Sequence, residues 1–257
     1  MKSLNQALAV WKALFIRESL IRLSAKKGAW VWLLLEPVLQ VGLLMFLFGF
    51  IYHRELVGID GAMFVMIGLL SFMLPRRTIF KGMSCIKAAK PLFFFREIRP
   101  IDMLLVSFFV EALIVIFASI FLVFCAGLIG YSVIPGDLSI VLLGYVGLWL
   151  FGIGLGLIVA ISANFFSYTQ QIVGFVFRPI YLLSGVIFPI WKIPEPYREW
   201  LMLNPIAHGL ETIRHGFYPH VYISPKVHIS YLYETSIVLV LFGLFLYSKF
   251  ENHLVKQ

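Results

Sequence analysis

Charge is scarce in this sequence: 13% of its 257 residues are Asp, Glu, Lys or Arg, about half the share of an ordinary soluble domain. That shortage excludes a typical soluble enzyme, a disordered tail and a nucleic-acid-binding module. Cysteine is nearly absent, and Cys85 and Cys125 lie far apart in apolar surroundings, which excludes a disulfide framework and a cysteine metal site. No Gly-x-x-x-x-Gly-Lys-Ser/Thr loop occurs, so nucleotide binding by that route is excluded. No His-Glu-x-x-His pair and no convincing Ser/His/Asp order is present, so no catalytic centre and no cofactor are expected. Internal repeats and low-complexity linkers are missing as well. The first 28 residues are basic and amphipathic and lack the apolar core of a cleavable signal peptide.

Apolar residues fill the space that charge vacates. They make up 61% of the chain, the mean hydropathy is +0.93, and Phe, Tyr and Trp account for 16%. About 20 apolar residues cross the roughly 30 Å hydrocarbon layer as a helix. On that scale six spans are expected, near Ala29–Tyr52, Ala62–Phe80, Ile101–Tyr131, Leu138–Asn164, Ile172–Trp191 and Ile229–Ser248. The predicted fold class is an all-α polytopic membrane protein.

The net charge of +8 is mostly an orientation signal. Lys2, Lys12, Arg17, Arg22, Lys26 and Lys27, the basic residues from Arg76 to Arg99, and Lys249 and Lys256 all fall on one side of this topology. They are fifteen of the 21 Lys and Arg. Positively charged loops face the cytoplasm, so both termini are expected there. Leu4, Leu8, Trp11 and Phe15 recur at helical spacing with Leu14 on the flank, which predicts an interfacial helix among basic residues. After Glu18 this pattern blurs. The segment from Trp191 to Ile229 is extracytoplasmic on this topology. Pro189, Pro194 and Pro196 break helices there, yet Tyr197–Leu203 and Ile206–Phe217 are too apolar for a solvated loop. Two short helices dipping back into the membrane reconcile these facts.

An ion at membrane depth costs about 2.5–3.5 kcal/mol on insertion scales, so it faces a partner or a cavity. Glu36, Glu111, Arg76, Arg77 and Arg178 are such residues. For Glu36 and Glu111 interhelical pairing or snorkelling is the default and a cavity-facing role the alternative; Arg76 and Arg77 suit either a cavity or snorkelling to head groups, and Arg178 either a structural partner or an anion. Trp30, Trp32, Tyr52, Trp149 and Tyr247 sit near span ends as interface anchors. Trp191, Tyr197, Trp200, Phe217, Tyr218 and Tyr222 cluster outside, where their rings suit either the apolar faces of sugars or an interfacial belt. Gly152, Gly154 and Gly156 form a small-residue face for close helix packing. His208, Glu211 and His215 could be forced into a metal site, but helix-face hydrogen bonding is the default for such residues.

Several motifs together resemble a known family. Glu36-Pro37 lies inside the first span. Leu92-Phe93 precedes Arg96-Glu97-Ile98-Arg99-Pro100-Ile101-Asp102, with Glu111 a few turns on. Arg178-Pro179 is followed by Ser184-Gly185 and then by Asn204-Pro205-Ile206-Ala207-His208-Gly209-Leu210-Glu211-Thr212-Ile213-Arg214. Over nearly its whole length the chain resembles the membrane permease of a bacterial ABC-2-type exporter for capsular polysaccharide.

That resemblance implies a homodimer in the bacterial inner membrane, with each subunit bound to a separate cytoplasmic ATPase, two copies in all. The ATPase would meet a cytoplasmic interface helix within residues 1–28 and a coupling loop at 83–99, through Lys87, Lys90, Leu92, Phe93 and Arg96. Pro91 departs from the helix expected there. The transmembrane domain would occupy 29–248, with a re-entrant segment at 191–222 and a cytoplasmic tail at 249–257. Lipid-linked acidic polysaccharide would pass between subunits, and the candidate pathway residues are Arg178, Glu36, Arg76, Arg77, Tyr181, Trp191, Tyr197 and Trp200. Asn204, Pro205, His208, Glu211 and Arg214 carry the family motif. Membrane lipids, a periplasmic adaptor and an outer-membrane channel are the other implied partners. The open alternatives are export of O-antigen, teichoic-acid precursors or a small hydrophobic drug, an intramembrane enzyme using His208 and Glu211, and a passive channel.

Overall fold

The computed structural model describes residues 4–24, 29–47, 55–56, 59–94, 98–221 and 227–256. Its elements are α1 (Leu4–Ser24), α2 (Ala29–Phe46), β1 (Glu55–Leu56), β2 (Ile59–Asp60), α3 (Gly61–Ala89), α4 (Pro100–Ile129), α5 (Leu138–Phe165), α6 (Thr169–Leu183), α7 (Tyr197–Leu201), α8 (Pro205–Phe217) and α9 (Ile229–Lys256). β1 and β2 form one short antiparallel pair, with Glu55 opposite Asp60. Among the described residues, four helices are long and apolar enough to cross a membrane, namely Gly61–Phe93, Pro100–Ile129, Leu138–Phe165 and Ile229–Glu251.

The helix ends follow from local chemistry. Asp60 caps α3 by accepting the Ala62 N–H at 2.8 Å, and Asp137 caps α5 by accepting from Ser139 and Ile140. α4 starts on Pro100 and ends on Gly130, whose φ of 103° suits a residue without a Cβ. Asn204 caps α8 and Pro205 takes its first turn. Ser71 and Thr78 return their hydroxyls to carbonyls four residues back, so neither leaves a bare polar group in the interior.

α3 is the axis of the bundle and is buried along most of its length. α2, α4, α5, α6 and α8 all pack on it. α5 joins it to α9, and the glycines of α5 allow these helices to touch. A Cβ on Gly154 would lie 2.7 Å from the Leu239 Cβ, and one on Gly82 would lie 2.6 Å from the Gly156 carbonyl oxygen. The small-residue face is therefore a double contact, with α3 on one side and α9 on the other. α4 and α9 keep most of their apolar surface exposed, including Phe117, Ile120, Phe124, Leu241 and Phe245. Such faces fit a hydrocarbon solvent.

Elements at the two ends of the bundle differ. α1 lies beside the start of α4 and the end of α3, in one apolar cluster with Tyr247 and Leu254 of α9. α8 lies at the opposite end, beside the first turns of α3, with the turn after α7 and the start of α9 bonded to it.

Boundaries depart from the sequence expectation in physically informative ways. α3 runs to Ala89 instead of stopping near Phe80, because Arg77 and Lys81 find carboxylate partners. The helix thus takes up Met83–Ala89 of the expected coupling loop, and a 3-10 turn over Lys90–Phe94 follows at Pro91. Arg96 lies outside the described residues. α6 stops at Leu183, short of Trp191, because Gly185 turns left-handed at φ 70°. The first span was expected to reach Tyr52; α2 is described to Phe46, and 48–54 lie outside the described residues. α9 continues past Ser248 to Lys256.

Candidate functional site

Pro75 precedes two arginines on α3 that diverge by about 100° around the helix axis. Arg77 turns to α2, where its Nη2 lies 3.2 Å from Glu36 Oε2. Arg76 turns toward α6. There Phe72 meets Tyr181 edge-on at 5.4 Å, Phe80 meets Phe177 edge-on at 5.7 Å, and the Arg76 guanidinium lies 5.7 Å from the Phe80 ring centre. The aromatic ladder holds α6 against α3 while Arg76 remains exposed. Arg178 on α6 is exposed too, and it makes no hydrogen bond or ion pair among the described residues. Ile172, Phe175 and Leu182 of α6 and Leu39, Leu43 and Phe46 of α2 are exposed. The helices flanking α3 thus carry bare apolar surface alongside two cations, Arg76 and Arg178, with no carboxylate partner among the described residues.

A second constellation closes the α8 end. Arg214 is completely buried. Its Nη1 donates to the Gly185 carbonyl at 2.8 Å and to Glu211 Oε1 at 3.1 Å, its Nη2 donates to the Val186 carbonyl at 2.8 Å, and the Phe64 ring centre lies 3.6 Å away. Asn204 accepts from the Ile206 N–H and donates to Ser184 Oγ at 2.8 Å. The backbone N–H of His228 donates to His208 Nδ1 at 3.0 Å, so that nitrogen is bare. Nε2 therefore carries the proton and donates to the Met202 carbonyl at 2.8 Å, which makes the ring neutral. The Asn-Pro-x-x-His-x-x-Glu-x-x-Arg motif is thus a clamp. It binds the turn after α6, the turn before α8 and the start of α9 to one another. His208 has no nitrogen left for a metal, and no group of three or more metal-ligating side chains occurs among the described residues.

Gly68 limits how closely Arg214 and α3 approach. A Cβ there would collide with Arg214 Nη2 and lie 2.6 Å from the Val186 carbonyl oxygen. Gly68→Ala is expected to destabilise the chain by about 1–3 kcal/mol, the usual cost of overpacking. Thermal unfolding in detergent checks this, and wild-type stability would refute the close approach.

A third group sits at the α1 end. Glu18 of α1 pairs with Lys81 of α3 and with Arg22 one turn on, and Arg22 Nη2 also donates to Glu111 Oε1 of α4 at 2.9 Å. Glu18 and Glu111 are buried. Burial alone would raise the Glu18 carboxyl, but the hydrogen bond from Lys81 and the charges of Lys81 and Arg22 outweigh it and hold the carboxyl below its ordinary range. The folded chain therefore binds this proton less readily than the unfolded chain. The resulting stability is present above the ordinary value of 4.5 and is lost as pH falls through the lowered one. Glu18→Gln is expected to flatten the fall in unfolding temperature between pH 6 and pH 3 relative to wild type; parallel curves would contradict this.

The expected residues fall into separate groups. Glu36, Arg76, Arg77, Tyr181 and Arg178 lie on α2, α3 and α6. Tyr197 and Trp200 of α7 are 69% and 75% exposed. Trp191 is half-buried against the core, with Lys192 Nζ 5.6 Å from its ring centre. Lys87 is exposed, Lys90 and Leu92 are half-buried, and Phe93 is turned inward among Leu14, Ile86 and Met103. Glu111 is paired, as interhelical pairing required. The links of Glu18 to Lys81 and Arg22 were not foreseen. The Glu18–Arg22 spacing of four was the one local hint, whereas Lys81 is 63 positions away.

Long apolar helices, a buried polar clamp, and cations on the exposed surface define a polytopic helical membrane protein. The chain belongs to the ABC-2 type transporter family, whose signature matches residues 9–218. It is 31% identical to the polysialic acid transport protein KpsM of Escherichia coli over 242 residues, covering 94% of this chain and 93% of that one. It is 27% identical to the capsule polysaccharide export inner-membrane protein CtrC of Neisseria meningitidis serogroup B, covering 95% and 92%. It is 26% identical to BexB of Haemophilus influenzae, which carries the same description, covering 98% and 97%. The chain is a membrane permease of this family and not an enzyme.

Proposed function

We propose that two copies of this chain form the transmembrane passage of a bacterial inner-membrane exporter for lipid-linked anionic capsular polysaccharide. The observation that carries this reading is the near end-to-end likeness to proteins named for capsule export. The bare α2 and α6 surfaces, with Arg76 of α3 exposed beside them, supply a route. Two such faces apposed across a dimer would surround a polar passage with the Arg76 and Arg178 guanidinia, which attract carboxylate or phosphate groups and shield them from hydrocarbon. The chain crosses the membrane six times, with α2 and α6 as the short spans and both termini in the cytoplasm. α7 and α8 dip back from the far side, and the exposed rings of Tyr197 and Trp200 offer weak stacking surfaces to a sliding polymer.

Energy comes from a separate ATPase, two copies per dimer, docked on α1 and on the 83–99 segment through Lys87, Lys90, Leu92 and Arg96. A periplasmic adaptor and an outer-membrane channel receive the polymer. The test is reconstitution in vesicles with a lipid-linked polymer of carboxylate-bearing sugars and a neutral polymer of equal length. The acidic polymer should move only when the ATPase and ATP are present. Movement by the permease alone, or equal movement of the neutral polymer, would overturn the reading.

A further inference from the structure

We infer that the Glu18–Arg22–Lys81–Glu111 network makes α1 and the two helix ends flanking the 83–99 segment one mechanical unit, with Glu18 as the positioning residue that passes displacement of that segment to the membrane helices. The inference rests on the reading that the ATPase docks on 83–99.

The geometry is specific. Glu18 accepts from Lys81, which sits two residues before the segment, and from Arg22 at 3.2–3.3 Å. Arg22 reaches on to Glu111 of α4. One node thus ties three helices, with two carboxylates balancing two cations. A second tie lies just beyond the segment. Trp11 Nε1 donates to Asp102 Oδ1 at 2.9 Å, and the other Asp102 oxygen accepts from the Arg99 N–H at 3.3 Å. Between the two ties, Leu14 is buried against Ile86, Ala89, Phe93 and Met103, and the Phe15 ring meets Phe109 at 6.1 Å. α1 is therefore fastened to the segment on both sides. The movement has an exit as well: α1 touches α2, and α2 is paired through Glu36 to Arg77, the neighbour of Arg76.

Stability alone does not account for this node. A buried ion pair often contributes no more than apolar residues of equal volume, because desolvation offsets the attraction. What charges add is a defined geometry, because hydrogen bonds between ionised groups are short and directional. An apolar seam would let α1 slide along α4, whereas the shared Arg22 does not.

The experiment uses the permease–ATPase complex in vesicles with the acidic lipid-linked polymer. Glu18→Gln keeps the side chain's size and removes its charge. Expected are ATPase binding and ATP hydrolysis within about twofold of wild type, with polymer moved per ATP lowered about tenfold. Exchanging the pair, Glu18→Lys with Lys81→Glu, should recover most of that ratio. In a chain lacking Cys85 and Cys125, a short bismaleimide joining Trp11→Cys to Asp102→Cys should leave transport intact, because the joined parts move together.

Normal coupling in Glu18→Gln would overturn the inference. So would loss of ATPase binding, unfolding temperature and transport in parallel, or arrest by the cross-link in a chain that transports before linking. Failure of the docking reading has a different signature: Lys87→Glu with Lys90→Glu would keep its ATPase, and the inference would fall with that reading.

Discussion

Arg214→Leu is expected to produce the largest loss of stability of any single change in this chain. The guanidinium satisfies the carbonyls of Gly185 and Val186 at the end of α6 and bonds to Glu211, which is also completely buried. Removing one member of a buried ion pair costs about 3–5 kcal/mol, because the other charge keeps its desolvation penalty. Two buried carbonyls also lose their donors, at about 1–3 kcal/mol each when nothing replaces them. The turn after α6 should detach from α8, and the purified protein should unfold at much lower temperature or aggregate on extraction. Arg214→Leu combined with Glu211→Leu should be less damaging than Arg214→Leu alone, since no charge then remains buried. If the double variant were worse by the sum of its parts, the pair would not be acting as a pair.

The second large effect is on transport. Arg76 and Arg178 are exposed, so replacing them with alanine should leave assembly and ATPase binding near wild type. A charge pair about 8 Å apart in an effective dielectric of about 20 is worth about 2 kcal/mol, which is about thirtyfold in rate. Arg178→Ala is expected to slow the acidic polymer by up to that factor, the double variant more so, and a neutral polymer hardly at all. Arg178→Lys should keep most of the activity, and the difference between acidic and neutral polymers should shrink as salt is raised. Loss of folding in proportion to transport would mean that Arg178 is structural.

Much of the helix inventory was legible without coordinates. α4, α5 and α9 are long apolar runs with recognisable starts, such as Pro100 and Asp137. α7 and α8 follow from prolines flanking short apolar stretches. Each of these signals spans a few residues and acts through local backbone chemistry. The end of α3 was harder to read. Arg76, Arg77 and Lys81 resemble a span boundary, yet the helix continues through them because Glu36 and Glu18, far away in the chain, neutralise two of the three. For the same reason the stripe on α1 fades after Glu18. Its inner side is completed by Glu18 and Arg22, while Leu8, Ile16 and Leu20 face outward.

The role of the Asn-Pro-x-x-His-x-x-Glu-x-x-Arg motif also depended on the fold. Its spacing places His208, Glu211 and Arg214 three residues apart on α8, and that spacing is equally compatible with a ligand, a catalytic pair or a clamp. The carbonyls of Gly185 and Val186 and the N–H of His228 decide among them, and none of these backbone groups can be matched to the motif from residue identity.

Composition and local pattern determined that this chain lives in a membrane and is built of helices. These properties add up residue by residue, from apolar transfer and from caps within a single turn. Tertiary structure decided which ions are spent on one another and which stay bare: Arg214, Arg22 and Lys81 inward, Arg76 and Arg178 outward. Pairing depends on a few ångströms between helices that lie dozens of positions apart, and only packing sets that distance.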